Sequence, residues 1–102
     1  MKVKILDSAE RDLEEGYHFY ESLSPGLGSY FLDSLYSDID SLAFFAGIHR
    51  VVHGHHRLLS KRFPFAVYYK VLEKEVVVIA VLDCRRNPSW IREKLVERWE
   101  PV

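Results

Sequence analysis

The sequence has few features that would place it outside a reducing compartment or in a membrane. Cys84 is the only cysteine, so neither an intrachain disulfide nor a cysteine zinc cage can form. The longest unbroken apolar run is the seven residues 76–82, far short of the roughly 20 needed to cross a bilayer. The N-terminal stretch lacks the apolar core of a secretory signal and turns acidic by Asp7. These absences predict a cytoplasmic protein with no membrane contact, no metal and no cofactor.

The length predicts a single domain over residues 1–102. Hydrophobic residues make up 48% of the chain and charged residues 28%, which is ordinary globular usage. Aromatic residues reach 14%, so large side chains are available for a compact core. If such a short chain is an enzyme, its site must be built from a few side chains on one sheet or cleft.

The net charge of −1 argues at first against an anionic partner, but it hides an asymmetry. Residues 1–47 carry three Lys/Arg against nine Asp/Glu, a net charge of −6. Residues 48–102 carry eleven Lys/Arg against six Asp/Glu, a net charge of +5, and four of the five histidines. The second half is therefore the expected contact for an anionic ligand, although a simple balance between solvated faces would give the same numbers.

The first half of the sequence predicts a strand followed by two helices. Residues 3–6 form a short apolar segment, and Asp7 follows as a predicted helix N-cap. Apolar residues then recur at helical spacing as far as the break at 24–26, and again from Leu27 to Ala46. Gly47 is well placed to end the second helix.

The second half predicts three strands and a last helix. A polar connection over 48–56 precedes a strand over 57–63, an alternating strand over 65–71 and a β-branched strand over 75–82. Pro88 suits the first turn of the last helix. The predicted fold class is α+β in the order β-α-α-β-β-β-α, with a mostly antiparallel four-stranded sheet packed against an N-terminal helical hairpin.

Basic residues follow two of the predicted strands. Arg57, Lys61 and Arg62 lie on or beside one strand, and Arg85 and Arg86 come directly after the central strand. If these strands are neighbours, the five cations converge, bordered by Tyr68 and Trp90. Cations that hold phosphates beside rings that stack on bases are typical of RNA binding.

Three segments resemble a known family in their order and spacing. PGLGSYFLDSL, HRLLSKRFPFAVYYKV and VVVIAVLDCRRNPSW are similar to segments of the RelE/ParE superfamily of bacterial type II toxin–antitoxin toxins, often labelled plasmid-stabilisation proteins. The resemblance runs from Lys4 to about Trp90. It implies a growth-inhibiting toxin that a cognate antitoxin neutralises.

The resemblance leaves the cellular target open. RelE-like members are ribosome-dependent mRNA interferases that cleave without a metal, and this chemistry needs a general base, a general acid and cations around one phosphate. ParE-like members inhibit DNA gyrase without catalysis. A third alternative is a degenerate member that only binds its antitoxin.

The RelE-like catalytic pattern is carried over only in part. Arg57 and Arg86 fall on basic positions of that pattern, whereas Leu59 and Ala66 fall on two others. The C-terminal aromatic position is occupied by Arg92, and Asp83 stands where many relatives have a histidine. A nuclease would therefore need Lys61, Asp83, His55 or His56 to supply the missing groups.

Two further predictions concern histidines and the last helix. His49, His53, His55 and His56 cluster in sequence, which fits an exposed polar loop better than an acid–base set or a zinc site, since no cysteine or acid has a familiar ligand spacing. Ile91, Leu95 and Trp99 recur every four residues. They either dock on the chain's own sheet or mark the antitoxin-binding surface, and self-association through such a surface is a further expectation.

Overall fold

The computed structural model describes residues 1–99, which form one mixed five-stranded sheet with helices on both faces. The elements in chain order are β1 (Lys2–Ile5), α1 (Asp7–Leu23), α2 (Leu27–Asp40), α3 (Leu42–Phe45), β2 (Val51–Val52), β3 (His55–Leu59), β4 (Phe65–Leu72), β5 (Glu75–Asp83) and α4 (Pro88–Arg98).

The sheet has the order β1-β5-β4-β3-β2, with β1 parallel to β5 and all other neighbours antiparallel. The β-branched run of β5 lies inside the sheet, between β1 and β4, and residues 76–82 are all buried. The prediction of a central strand covered on both faces is therefore confirmed. A register shift beside Tyr68 and Tyr69 leaves Ile79 as an extra residue in β5.

Each face of the sheet carries its own apolar cluster. The helical hairpin of α1 and α2 packs against the face that bears Val67, Tyr69 and Val78. Helix α4 covers the opposite face through Ile91 and Leu95, which contact the cluster containing Tyr68 and Ile79.

Helices α1 and α2 approach each other closely at two glycines, which have no side chain. A Cβ atom on Gly28 would lie 2.6 Å from the backbone oxygen of Tyr17, and one on Gly16 would lie 2.5 Å from the ring of Phe31. The Glu21 carboxylate accepts hydrogen bonds from the backbone N–H groups of Gly26 and Gly28, so it occupies the N-terminus of α2.

The fold class agrees with the prediction, but several boundaries differ. The predicted second helix is interrupted at Ser41, whose hydroxyl donates to the backbone oxygen of Asp38. Asp7 is the first helical residue rather than the N-cap, which is Leu6. The last helix begins at Pro88 as predicted, with Asn87 as its N-cap.

The sheet has five strands rather than four because the predicted connection over 48–56 contains a hairpin. His53 and Gly54 both have positive φ, at 53° and 78°, as a two-residue turn that matches the twist of paired strands requires. Val52 pairs with His55 across this turn. The third strand therefore spans His55–Leu59 instead of residues 57–63.

Among the described residues, no helix is long and apolar enough to cross a bilayer.

Candidate functional surface at one end of the sheet

Two loops lie side by side at the end of the sheet where β5 finishes. Phe65 pairs with Asp83, and the backbone N–H of Cys84 donates to the oxygen of Pro64 at 2.8 Å. The loop over 60–64 is therefore adjacent to the loop over 84–87. This arrangement brings Lys61, Arg62, Arg85 and Arg86 to the same end, which we call the basic end.

Asp83 and Arg85 form a closed ion pair at the basic end. One carboxylate oxygen accepts from the backbone N–H and from Nε of Arg85, at 2.8 and 3.0 Å, and the other accepts from Nη2 at 2.7 Å. These hydrogen bonds hold the pKa of Asp83 below its ordinary value and raise the pKa of Arg85. Asp83 is therefore a weaker base than an ordinary aspartate, and Arg85 is already paired.

Arg86 is held differently, against an aromatic ring. Its guanidinium carbon lies 3.9 Å from the centroid of the Trp90 ring, with Lys94 Nζ 5.6 Å from the same ring. Within residues 1–99, Arg86 forms no ion pair. The Trp90 ring orients the guanidinium of Arg86 but does not neutralise its charge. The exposed side chain can therefore still bind an anionic or aromatic group of a partner.

Arg86 and Trp90 also border a cleft of about 470 Å³. The cleft lies between α1 and the start of α4, over the free edge of β5. Phe19, which is 53% exposed, contributes its apolar ring to the α1 side. The remaining lining residues are Asp12, Glu15, Gly16, Phe65, Val81, Leu82 and Asp83.

Arg57 and Tyr68 lie opposite each other on β3 and β4. Tyr68 is only 2% exposed and packs in the cluster beneath α4, so its ring is not available for stacking on a base in this conformation. Burial raises the pKa of the Tyr68 phenol. Arg57 is half-buried, and its Nε has no hydrogen-bond partner among the described residues.

Lys61 and Arg62 lie toward the helical hairpin instead. Arg62 Nη1 donates to the Tyr30 hydroxyl at 3.0 Å, and both cations line a polar cleft of about 410 Å³. Asp33 and Asp38 line the same cleft. The acids oppose the binding of a phosphate group there.

The histidines lie away from the basic end. His56 pairs with Tyr69, which pairs with Val78, five residues before Asp83 on β5. At about 3.3 Å per residue, this separation is roughly 17 Å. His55 is 6% exposed, and burial lowers its pKa. No cluster of three metal-ligating side chains occurs among residues 1–99.

Tyr69 contacts several residues of the histidine segment. The rings of His56 and Tyr69 stack at 5.1 Å, and the Tyr69 hydroxyl accepts from the backbone N–H of Gly47 at 3.0 Å. The same hydroxyl contacts His49 Nδ1, and His56 Nδ1 contacts the backbone oxygen of His49 at 2.7 Å. The segment is thus a hydrogen-bonded hairpin rather than an exposed loop throughout: His55 is buried, His49 and His56 are half-buried, and His53 is exposed.

The residues predicted to bind an antitoxin divide by exposure. Ile91 and Leu95 are 6% and 0% exposed because they pack on the chain's own sheet. Docking on the sheet was one of the two alternatives that the sequence left open for these residues. Trp99 is half-buried and lies 5.5 Å from Lys70 Nζ. An antitoxin contact at these three residues stays a prediction.

The α1 residues that line this cleft were not predicted from the sequence. Phe19 lies off the apolar stripe of α1, and Asp12 precedes the stripe residue Leu13. Asp12 lies three residues after Ala9, which belongs to the apolar stripe, so helical spacing alone could have indicated that Asp12 faces inward.

The order and pairing of the strands and the helices on both faces define a small α+β domain. Residues 3–88 match the family described as ParE toxin of type II toxin-antitoxin system, parDE. The chain therefore belongs to the ParE toxin family, and this family implies a cognate antitoxin as partner. The matched segment ends where α4 begins.

A solved structure supports the same assignment. The structure described as the chromosomal ParDE TA system from P. aeruginosa superposes with a TM-score of 0.73 and 26% sequence identity. The match covers 79% of this chain and 92% of that chain. No curated protein shows a significant match to the sequence.

Proposed function

We propose that this ParE-family toxin inhibits growth by binding DNA gyrase, without cleaving RNA. The observation that carries the proposal is the dispersal of the groups that a ribonuclease would need. Both this target and ribosome-bound mRNA lie in the cytoplasm, so the proposal places the protein there.

Metal-free RNA cleavage requires a base, an acid and cations around a single phosphate. Here Asp83 is committed to Arg85, His56 stacks on Tyr69 at the far end of the strands, and Arg57 lies half-buried beside Tyr68. Lys61 shares its cleft with two aspartates. This distribution favours a binding protein over a nuclease.

The cleft beside Arg86 has the composition of a protein-binding surface. Arginine and tryptophan are enriched among the residues that dominate binding energy at protein interfaces. Arg86 and Trp90 stand together at the rim, and the partly exposed ring of Phe19 adds apolar area. We therefore place the gyrase contact at this cleft.

The test compares two assays on the same purified protein. The toxin is titrated into a gyrase supercoiling reaction with relaxed plasmid, and in parallel into a translating extract whose mRNA is mapped by primer extension. The proposal expects loss of supercoiling and intact mRNA. Cleavage at ribosomal A-site codons with normal supercoiling would overturn it in favour of the RelE-like alternative.

Growth measurements complete the test. Expression of the toxin without an antitoxin should stop colony formation, and co-expression of a short adjacent open reading frame should restore it. If expression leaves growth unchanged and neither assay responds, the degenerate alternative replaces the proposal.

A further inference from the structure

A buried tyrosine hydroxyl determines which nitrogen of His49 carries a proton. Tyr69 is fully buried, and its hydroxyl oxygen accepts a hydrogen bond from the backbone N–H of Gly47 at 3.0 Å. Among residues 1–99, the acceptor that this leaves for the hydroxyl proton is His49 Nδ1. A nitrogen that accepts a hydrogen bond is unprotonated, so the arrangement holds His49 as the neutral imidazole.

The neighbouring histidines carry the proton on the other ring nitrogen. His56 Nδ1 contacts the backbone oxygen of His49 at 2.7 Å, and a carbonyl oxygen only accepts. His56 Nδ1 therefore donates in both charge states, and protonation of His56 leaves this contact intact. His55 is the next residue of β3 toward the N-terminus, so its side chain lies on the opposite face of the sheet from His56 and Tyr69. His49 is thus the histidine whose protonation breaks a contact with Tyr69.

Protonation of His49 replaces an acceptor by a second donor at the Tyr69 hydroxyl. The hydroxyl proton then has no acceptor among the described residues, and a buried unsatisfied donor is costly. The titratable groups that face His49 are Tyr69 from β4 and His56 from β3, and α3 has no charged or titratable side chain. Within residues 1–99, no carboxylate pairs with His49. Burial and the nearby His56 lower the pKa of His49.

The chain around His49 is held mainly by hydrogen bonds. Ile48 is 73% exposed and Val51 is 56% exposed, so these side chains bury little apolar surface. Besides the Tyr69 contacts, the backbone N–H of Arg57 donates to the oxygen of Arg50 at 2.9 Å, and β2 is only two residues long. Segments with few buried apolar contacts open at a lower free energy than the core.

We propose that residues 47–52, which we call the latch segment, detach from β3 and β4 in acid when a proton on His49 Nδ1 breaks the hydrogen bond with Tyr69. The rest of the sheet stays folded. Because opening takes up one proton, the ratio of open to closed molecules should rise by up to tenfold per pH unit below the ordinary histidine pKa of about 6.5. The inference does not rest on the gyrase proposal, since it involves no partner.

The test is amide hydrogen exchange of the ¹⁵N-labelled chain, followed by NMR from pH 8 to pH 5 and expressed as protection relative to the intrinsic exchange rate. The reporters are the amides of Gly47 and Arg57, which donate to Tyr69 and Arg50. The reference is the amide of Leu6, which donates to β5 outside the latch segment. Protection at both reporters should fall at least about threefold more than protection at Leu6.

Two variants separate His49 from a general effect of acid. His49→Asn keeps an oxygen that can accept from the Tyr69 hydroxyl but takes up no proton, so protection should no longer depend on pH relative to Leu6. His53→Asn is the matched control, because His53 is an exposed residue of the same hairpin with a positive φ that asparagine tolerates. It should keep the pH dependence of the wild type. Dispersed NMR spectra check that each variant folds.

Several results would overturn the proposal. Protection at Gly47 and Arg57 could remain constant relative to Leu6 as the pH falls, which would mean that any acid opening involves the whole sheet. His49→Asn could keep the pH dependence of the wild type, or His53→Asn could lose it to the same extent.

The imidazole signals of the wild type supply a second measurement. The His49 ring should titrate at a lower pH than the ring of His18, whose side chain is 70% exposed on α1. Titration of both rings at the same pH would contradict the role of the Tyr69 hydroxyl.

Discussion

Asp12 of α1 and Arg98 of α4 form a bidentate ion pair across the free edge of β5. Arg98 Nη2 donates to Asp12 Oδ1 at 2.9 Å, and Nη1 donates to Oδ2, which also accepts the backbone N–H of Val81 at 2.9 Å. The two side chains are 8% and 16% exposed. Because β1 pairs with β5 only as far as Val78, Asp12 satisfies a strand N–H that no neighbouring strand reaches.

The first prediction is that Asp12→Ala destabilises the protein by about 3–5 kcal/mol, since it leaves a half-buried arginine without its partner and a strand N–H unsatisfied. Urea unfolding monitored by circular dichroism measures the change. Adding Arg98→Met to Asp12→Ala should recover part of the loss, because the unpaired charge is then gone. A change below about 1 kcal/mol for Asp12→Ala would show that the pair adds nothing to stability.

The second prediction concerns acid sensitivity. Burial lowers the pKa of His55 in the folded state, so the unfolded chain binds more protons once the pH falls toward the ordinary value of about 6.5. Stability should therefore be constant above that pH and decrease as the pH falls below it. Urea midpoints measured between pH 8 and pH 5 give the slope.

The control for this prediction uses an exposed histidine. His55→Gln should flatten the pH dependence below 6.5. His18→Gln, at a side chain that is 70% exposed on α1, is the control for the removal of any histidine. Desolvation also lowers the pKa of His49, so a residual slope is expected in the His55 variant. Equal slopes for both variants and the wild type would contradict the assignment to His55.

The third prediction tests the close helix contact. Gly28→Ala places a methyl group 2.6 Å from the Tyr17 backbone oxygen, which cannot yield as a side chain could, so a loss of about 1–3 kcal/mol is expected. Ser29→Ala, on the next and exposed residue of the same helix, should change stability by no more than about 0.5 kcal/mol. Thermal unfolding of both variants measures the two losses. Similar melting temperatures would show that the helices can move apart without a loss of stability.

Much of the fold could be predicted because local patterns and tertiary packing agree. The β-branched run 76–82 identifies the central strand, and the apolar spacing through Leu13 and Leu35 identifies the faces buried by the hairpin. The β2 hairpin was missed because its turn uses His53-Gly54 rather than the favoured Asn-Gly, and because its strand is only two residues long. The interruption at Ser41 was missed because the apolar spacing continues across it to Leu42 and Ala46.

The basic end could be predicted only as a set of residues near one another. The condition set for their convergence, that the two strands are neighbours, is not met, because β4 lies between β3 and β5. The loops over 60–64 and 84–87 adjoin instead because the end of β5 pairs with the start of β4, directly after Pro64. The pairing of each cation depends on side-chain geometry. Arg85 turns to Asp83, Arg62 to Tyr30 and Arg86 to Trp90, and nothing in the spacing of these residues distinguishes the three.

The last prediction separates Arg86 from the other cations. Arg86→Ala removes the exposed cation at the Trp90 rim, and loss of an arginine that dominates an interface weakens binding by about 2 kcal/mol or more, which is more than tenfold. The toxin concentration that halves gyrase supercoiling should therefore rise at least tenfold, with growth inhibition reduced in parallel. Stability should change by no more than about 0.5 kcal/mol, because the side chain is exposed.

Arg92→Ala is the matched control for Arg86→Ala, since Arg92 is an exposed arginine on the same helix as Trp90 but does not line the cleft. Both variants remove one positive charge, so any general effect of charge on encounter with gyrase and its DNA is the same for the two. A loss specific to Arg86→Ala assigns the contact to the cleft. If both variants lose the same activity, Arg86 acts only through its positive charge. If Arg86→Ala keeps full activity, the cleft is not the surface that binds the target.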